Sequence, residues 1–353
     1  MKISDIDKNL RVSETVDFPD LKWIMPDGGN FRTYGCCSTQ PYKRIPEEVA
    51  AAANEGVLTL HGNTAGVRLR FRTDSRYVAI HAEWHTQCCF PHMPVTGVSG
   101  FDLYRVKDGV QEFVGLIIPP FSAPYGYEGF VFTPGGMQDL ILEFPLYNDV
   151  DKLYVGVSDT AEFEAPAEYS HARPVVYYGS SITQGGCASR PGNSYQAMLS
   201  RALDCDYINL GFSASARGEQ AIARYIGGLD MSAFVLDYDH NAPNEEHLEK
   251  THYPFYRTVR DARPDTPIIM LSKPDVLSVD PGAAYGFDLR REIIRKTYER
   301  AVAEGDKNVY FIDGASIFGD DPLRACTVDT CHPNDLGFYR YYEKLYPVLS
   351  RLI

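Results

Sequence analysis

The chain has 353 residues, 44% of them hydrophobic and 23% charged, with a formal net charge of −13. That length can bury two sizeable cores, and the composition is ordinary for a globular protein. The acidic balance repels nucleic-acid phosphates and anionic bilayers, and no apolar run reaches the roughly eighteen residues a spanning helix needs. Neither nucleic acid nor membrane is expected as a partner.

The first residues, Met1-Lys2-Ile3-Ser4-Asp5-Ile6-Asp7, carry no apolar core of a secretory signal. Eight cysteines fall as two adjacent pairs and four singles, unlike a secreted disulfide framework. The expected location is the cytoplasm. Cys326, Cys331 and His332 lack a second pair at ligand spacing, so neither a metal nor an organic cofactor is expected.

Up to about residue 165 the pattern is period two. Pro46–Asn54 reads as a helix. Val67–Arg72 alternates apolar residues with arginines, as in a half-buried strand. Tyr77–Trp84, Phe101–Val106, Glu112–Ile118, Leu140–Phe144 and Leu153–Val157 read as further strands between Gly, Pro and Asp turns. Residues 1–165 are therefore expected to form an all-β, jelly-roll-like sandwich. The Ala-, Glu- and Pro-rich stretch Glu162–Ala172 reads as the connection.

Residues 173–353 alternate strands and helices. Val175–Tyr178, Tyr207–Leu210, Phe234–Leu236, Ile268–Leu271 and Val309–Ile312 are short apolar runs suited to parallel strands buried on both faces. Helices are expected at Ser194–Leu203, Glu219–Ile226, Glu245–Arg260, Leu289–Ala303 and Asp335–Leu352, with Asn244 as an N-cap. This is a three-layer α/β/α domain with a parallel sheet, whose site should lie beyond the carboxyl ends of the strands.

Four signals fall at strand ends in order. Ser181 follows the first strand in Gly179-Ser180-Ser181-Ile182-Thr183, where a nucleophile would be exposed; alternatively these hydroxyls satisfy turn amides. Gly211 follows the second strand, as an oxyanion-hole amide or as a turn glycine. Asn241 follows the third, as a side-chain donor to the same oxyanion or as the start of a loop. Asp329-Thr330-Cys331-His332 places a carboxylate where it can orient an imidazole, or forms a turn ahead of a helix capped by Asn334 or Asp335.

On these residues the second domain resembles the SGNH (GDSL-type) hydrolases. The resemblance implies Ser181 as nucleophile, His332 as base, Asp329 as its orienting partner, and an oxyanion hole of the Ser181 amide, the Gly211 amide and Asn241. Ser180 stands where the family signature has Asp, and Asp-His-Asn-Ala surrounds Asn241 in place of the more familiar pattern. The first domain resembles the β-rich N-terminal module of one SGNH subgroup through Ser99-Gly100-Phe101-Asp102-Leu103-Tyr104 and Phe144-Pro145-Leu146-Tyr147-Asn148. Its loop from Trp84 to Pro94 is expected either to be structural or to offer Trp84, His85 and His92 to a sugar. Trp84 also continues the apolar face of Val78, Ile80 and Ala82.

The expected function is hydrolysis of short acyl esters, acetyl foremost, on carbohydrates through an acyl-enzyme. The partner is then a small-molecule or oligosaccharide ester, with a homo-oligomer left open. Alternatives are a thioesterase or lysophospholipase, a metal-dependent hydrolase, and an inactive carbohydrate-binding protein.

Overall fold

The computed structural model describes residues 16–274, 287–319 and 325–353. The N-terminal stretch read for a signal lies outside them. The chain folds into two units. The first holds 16–44, 62–168 and the short segment Ser189–Gly192; the second holds Ile45–His61, Tyr169–Ala188 and the described chain from Asn193 onward. The contiguous division expected from the sequence is thus crossed twice. The expected Pro46–Asn54 helix appears as Glu47–Ala53, is followed by a second helix Glu55–Leu60, and belongs with the later chain.

The first unit is an antiparallel sandwich. One sheet has the order β1-β9-β4-β7, with β1 at Leu21–Ile24, β4 at Tyr77–Glu83, β7 at Gly126–Phe132 and β9 at Lys152–Ser158. The other runs β10-β3-β8-β5-β6, with β3 at Arg68–Thr73, β5 at Phe101–Lys107, β6 at Val110–Ile117, β8 at Gln138–Glu143 and β10 at Phe163–Glu164. A further strand β2, Phe31–Tyr34, pairs with β3. Alternate residues of both sheets meet in one core, among them Leu69, Phe71, Val78, Ile80, Leu103, Leu142 and Val155. The arginine face of β3 is not solvated as the alternation suggested, because Arg68 and Arg70 are both fully buried. Strand β3 lies inside its sheet, between β8 and the pair β2 and β10.

The Gly-x-Asp-Leu-Tyr signature has a physical explanation within this unit. On β5, Phe101 and Leu103 enter the core, which sends Asp102 and Tyr104 to the opposite face. There the buried Asp102 carboxylate accepts from Arg190 Nη1 at 2.7 Å, from the Gly192 amide at 3.1 Å and from Tyr104 Oη at 3.1 Å. The Arg190 guanidinium also lies 4.0 Å from the Phe113 ring centroid. A buried carboxylate persists only with such a full set of partners.

The second unit is built on a five-stranded parallel sheet of order β12-β11-β13-β14-β15. The strands are β11 His171–Gly179, β12 Cys205–Gly211, β13 Ala233–Asp237, β14 Ile268–Leu271 and β15 Val309–Ile312. Helices 220–228, 245–262 and 287–303 cover one face through Ile222, Phe255 and Ile294, joined by Ala50 and Val57. On the other face Tyr195 stacks on Tyr341 and meets Tyr177 edge to face, tying helices 195–203 and 335–349 to the sheet. The chain moves from β11 outward to β12 and then back across to β13. The order therefore reverses beside the carboxyl end of β11, where α/β sheets open a crevice. No helix among the described residues is long and apolar enough to cross a membrane.

His252 is buried in this unit with its ring stacked on Tyr238 at 5.7 Å, and burial depresses its pKa to about 3. The folded state refuses a proton that the unfolded chain accepts near the ordinary value of 6.5. The resulting stability is complete above that value and drains away as pH falls toward 3, by about 1.4 kcal/mol per unit. Urea unfolding at pH 7 and pH 5 is expected to show wild type losing about 2 kcal/mol more than His252→Phe over that interval.

Candidate active site

The site begins with glycine. Gly179 and Gly211 are paired residues at the ends of β11 and β12. A Cβ on Gly179 would fall 2.1 Å from both Asp237 O and Thr183 Oγ1, and one on Gly211 would fall 2.1 Å from the Gln184 amide. No side chain fits at either position, so the backbone of the single helical turn Ser181–Gln184 rests directly on the strand ends. That turn is capped by Ser180, whose Oγ accepts the Ile182 amide at 3.2 Å, and is closed by Gly185 in the left-handed region. The Thr183 carbonyl accepts from Gln196 Nε2 at 2.6 Å and Asn209 Nδ2 at 2.8 Å, while Gln184 Oε1 accepts the Ser213 amide. Ser181 therefore sits on a turn held from below, beside and behind.

Ser181 Oγ lies 2.9 Å from His332 Nε2, and His332 Nδ1 lies 2.7 Å from Asp329 Oδ2. The other oxygen, Asp329 Oδ1, accepts the His332 amide at 2.7 Å and the Cys331 amide at 3.1 Å. This folds the loop tightly enough to put Thr330 at φ +67°, a left-handed value uncommon for a β-branched residue. An isolated bridge between Thr327 and Pro333 closes the loop, and Asn334 caps the following helix by accepting the Gly337 amide. Partial burial pulls the Asp329 pKa up, but the His332 amide, the imidazole and the Cys331 amide outweigh it and hold the carboxyl below its usual range. Asp329 is thus an ionised acceptor across the working pH range.

The neighbouring titratable groups are silenced. Burial, with Asp239 nearby, raises the pKa of Asp237 well above the usual carboxylate range. His240 is held well below the ordinary imidazole value by burial and then by the charges of Lys273, His332 and Arg290; its Nε2 is buried without a partner among the described residues. Cys187 is pushed up to about 12 by burial and by Asp329 and Cys331. It is a thiol at neutral pH.

Gly211 and Trp84 are placed differently from the sequence reading. The Gly211 amide donates to Asn209 Oδ1 at 2.8 Å and so is already used. The absent side chain at 211 serves the close packing described above. Asn241 lies in a 3-10 turn after β13, and its Nδ2 donates to Phe212 O at 2.9 Å, leaving the second hydrogen of that amide. Trp84 cannot stack on a ligand: it is 3% exposed in the sandwich core, with its indole N–H on Ala123 O at 2.7 Å. In the same unit His85 is bonded through Nδ1 to Asp151, and His92 is half-buried with its ring 6.3 Å from Phe90.

The residue sequence reasoning missed is Ala214. It follows Gly211 by three positions, adopts φ +56°, and its amide has no hydrogen-bond partner among the described residues. An alanine carries no visible mark of a left-handed backbone; a glycine there would have drawn notice.

A family model of the GDSL-like lipase/acylhydrolases matches residues 172–350, and a model of the N-terminus of SGNH-hydrolase-type esterases matches residues 21–163. The chain belongs to the GDSL-like lipase/acylhydrolase family, with the N-terminal module of one esterase type ahead of it. It is similar, at 29% identity and TM-score 0.86, to a structure from Bacteroides ovatus described as a GDSL-like lipase, covering 94% of this chain and 98% of that one. A salicylyl-acyltransferase from a tetracycline biosynthetic pathway shares the fold at 22% identity and TM-score 0.78, covering 95% and 98%. So does an acetyl xylan esterase from Butyrivibrio proteoclasticus, at 15% identity and TM-score 0.56, covering 94% and 98%. No curated protein matches. Family and fold together support ester hydrolysis by a serine hydrolase.

The glycine contact is open to a direct measurement. Gly211→Ala is expected to lower the urea midpoint by an amount equivalent to about 1–3 kcal/mol, because its Cβ meets backbone and not a movable side chain. An unchanged midpoint would mean that the turn can retreat from β12.

Proposed function

We propose that this protein is a serine esterase that removes short acyl groups, acetyl foremost, from carbohydrates. The observation that carries the reading is the unbroken chain from Ser181 Oγ through the His332 ring to Asp329 at the carboxyl ends of the strands. In this reading His332 Nε2 takes the Ser181 proton as Oγ attacks the ester carbonyl, and Asp329 steadies the imidazolium that forms. The oxyanion is held by the Ser181 amide, the Ala214 amide and the remaining Asn241 hydrogen, with Ala214 standing where the sequence had suggested Gly211. His332 returns the proton to the leaving alcohol, then activates the water that releases the acid.

An acetyl xylan esterase shares the two-part fold along most of both chains. The scattered cysteines are the reason for proposing the cytoplasm, where the substrates would be acetylated oligosaccharides.

Ser181→Ala is expected to cut p-nitrophenyl acetate turnover at least a thousandfold, Asp329→Asn about ten-thousandfold in kcat, and Asn241→Ala about a hundredfold or more. Equal turnover by wild type and Ser181→Ala would remove Ser181 from the mechanism. A parallel panel of acetylated xylo-oligosaccharides, acyl-CoAs and lysophospholipids decides the substrate class. Hydrolysis of only the last two would overturn the carbohydrate reading.

A further inference from the structure

The sandwich unit carries a second concave surface that the esterase mechanism does not use. A cleft of about 660 Å³ opens at the end of β4 and the start of β7, walled by Glu83, His85, Tyr125, Glu128, Asp151 and Lys152. It exists because Gly126, at φ +122°, brings the start of β7 so close to β4 that a Cβ there would fall 1.9 Å from Ala82 O. Ala82 and Gly126 line it between the polar walls. Above it the Tyr125 ring stands 77% exposed, a large aromatic surface left to water at the mouth of a cleft.

The polar walls are arranged in advance. Glu83 accepts from Lys152 at 3.0 Å and faces His81 Nε2 at 3.3 Å; Glu128 Oε1 meets His81 Nδ1 at 2.8 Å; Asp151 Oδ2 meets His85 Nδ1 at 2.5 Å. Each carboxylate is held in place by one or two neighbours and keeps further lone pairs for a ligand. Beyond the cleft the same sheet face continues in aromatic rings. Tyr154 pairs with His81 across the strands at 5.7 Å, and Trp23 lies 5.9 Å from the same imidazole.

We propose that this cleft binds a neutral oligosaccharide. A pyranose presents an apolar C–H face, which a ring such as Tyr125 covers, and vicinal hydroxyls, which donate in pairs to fixed carboxylates. Three carboxylates against one lysine disfavour an acidic glycan, and the row from Tyr125 past His81 to Tyr154 and Trp23 suits a chain of several sugars. The esterase reading contributes only the choice of sugar.

Isothermal titration of the full-length protein with unacetylated xylohexaose tests this, since that ligand offers no ester to Ser181. Wild type is expected to bind, Tyr125→Phe to bind equally, and Tyr125→Ala and Glu128→Gln each to weaken binding at least tenfold with the thermal midpoint retained. Absence of binding by wild type overturns the inference. So does wild-type affinity in both Tyr125→Ala and Glu128→Gln, which would put the sugar elsewhere. Either failure leaves the esterase proposal to be judged by p-nitrophenyl acetate turnover and its dependence on Ser181.

Discussion

Everything at the candidate active site depends on two backbones touching where side chains are forbidden. The ends of β11 and β12 meet the Ser181–Gln184 turn through Gly179 and Gly211, with no room for even a methyl group. Such contact sets the height of the turn above the sheet. Lateral hydrogen bonds from Gln196 and Asn209 to the Thr183 carbonyl then fix its rotation. Ser181 inherits its position from backbone geometry, and its side chain has only to choose a rotamer that meets His332.

Around that position the protein concentrates charge in one place. Asp237 and His240 lie close to the reacting groups but are driven toward their neutral forms by burial. Asp329 is treated oppositely, receiving two amides and an imidazole on its two oxygens. A base oriented by one ionised carboxylate, among groups that do not compete for its proton, is the electrostatic condition that general base catalysis needs.

Much of this was legible in the sequence, for identifiable reasons. Buried parallel strands announce themselves as short apolar runs, and β14 and β15 were bounded as they occur, at Ile268–Leu271 and Val309–Ile312. The Asp329-x-x-His332 spacing leads directly to the contact observed, because three residues of loop are what the ring needs to fold back. Glycines were harder. Gly179 and Gly211 are visible as letters, but a glycine that permits packing and one that offers an amide look alike until its neighbours are known. Ala214 was invisible because its left-handed backbone is imposed by the loop around it. Trp84 was ambiguous for a simpler cause: an aromatic residue at the end of an alternating strand fits a core and a binding loop equally well. The burial of Arg68 and Arg70 depended on whether that face of the sheet is covered, and a single strand's pattern does not record that.

The exchange of segments between the units bears on how the molecule can be made. The first unit needs Ser189–Gly192, the segment that brings the Arg190 guanidinium to Asp102. The second unit takes its two early helices from Ile45–His61, long before its own sheet begins. On a ribosome, neither unit is complete when the sandwich strands have emerged. A gene cut at the connecting stretch near residue 165 would deprive each product of a piece of itself, so the chain is the smallest unit of inheritance for this architecture.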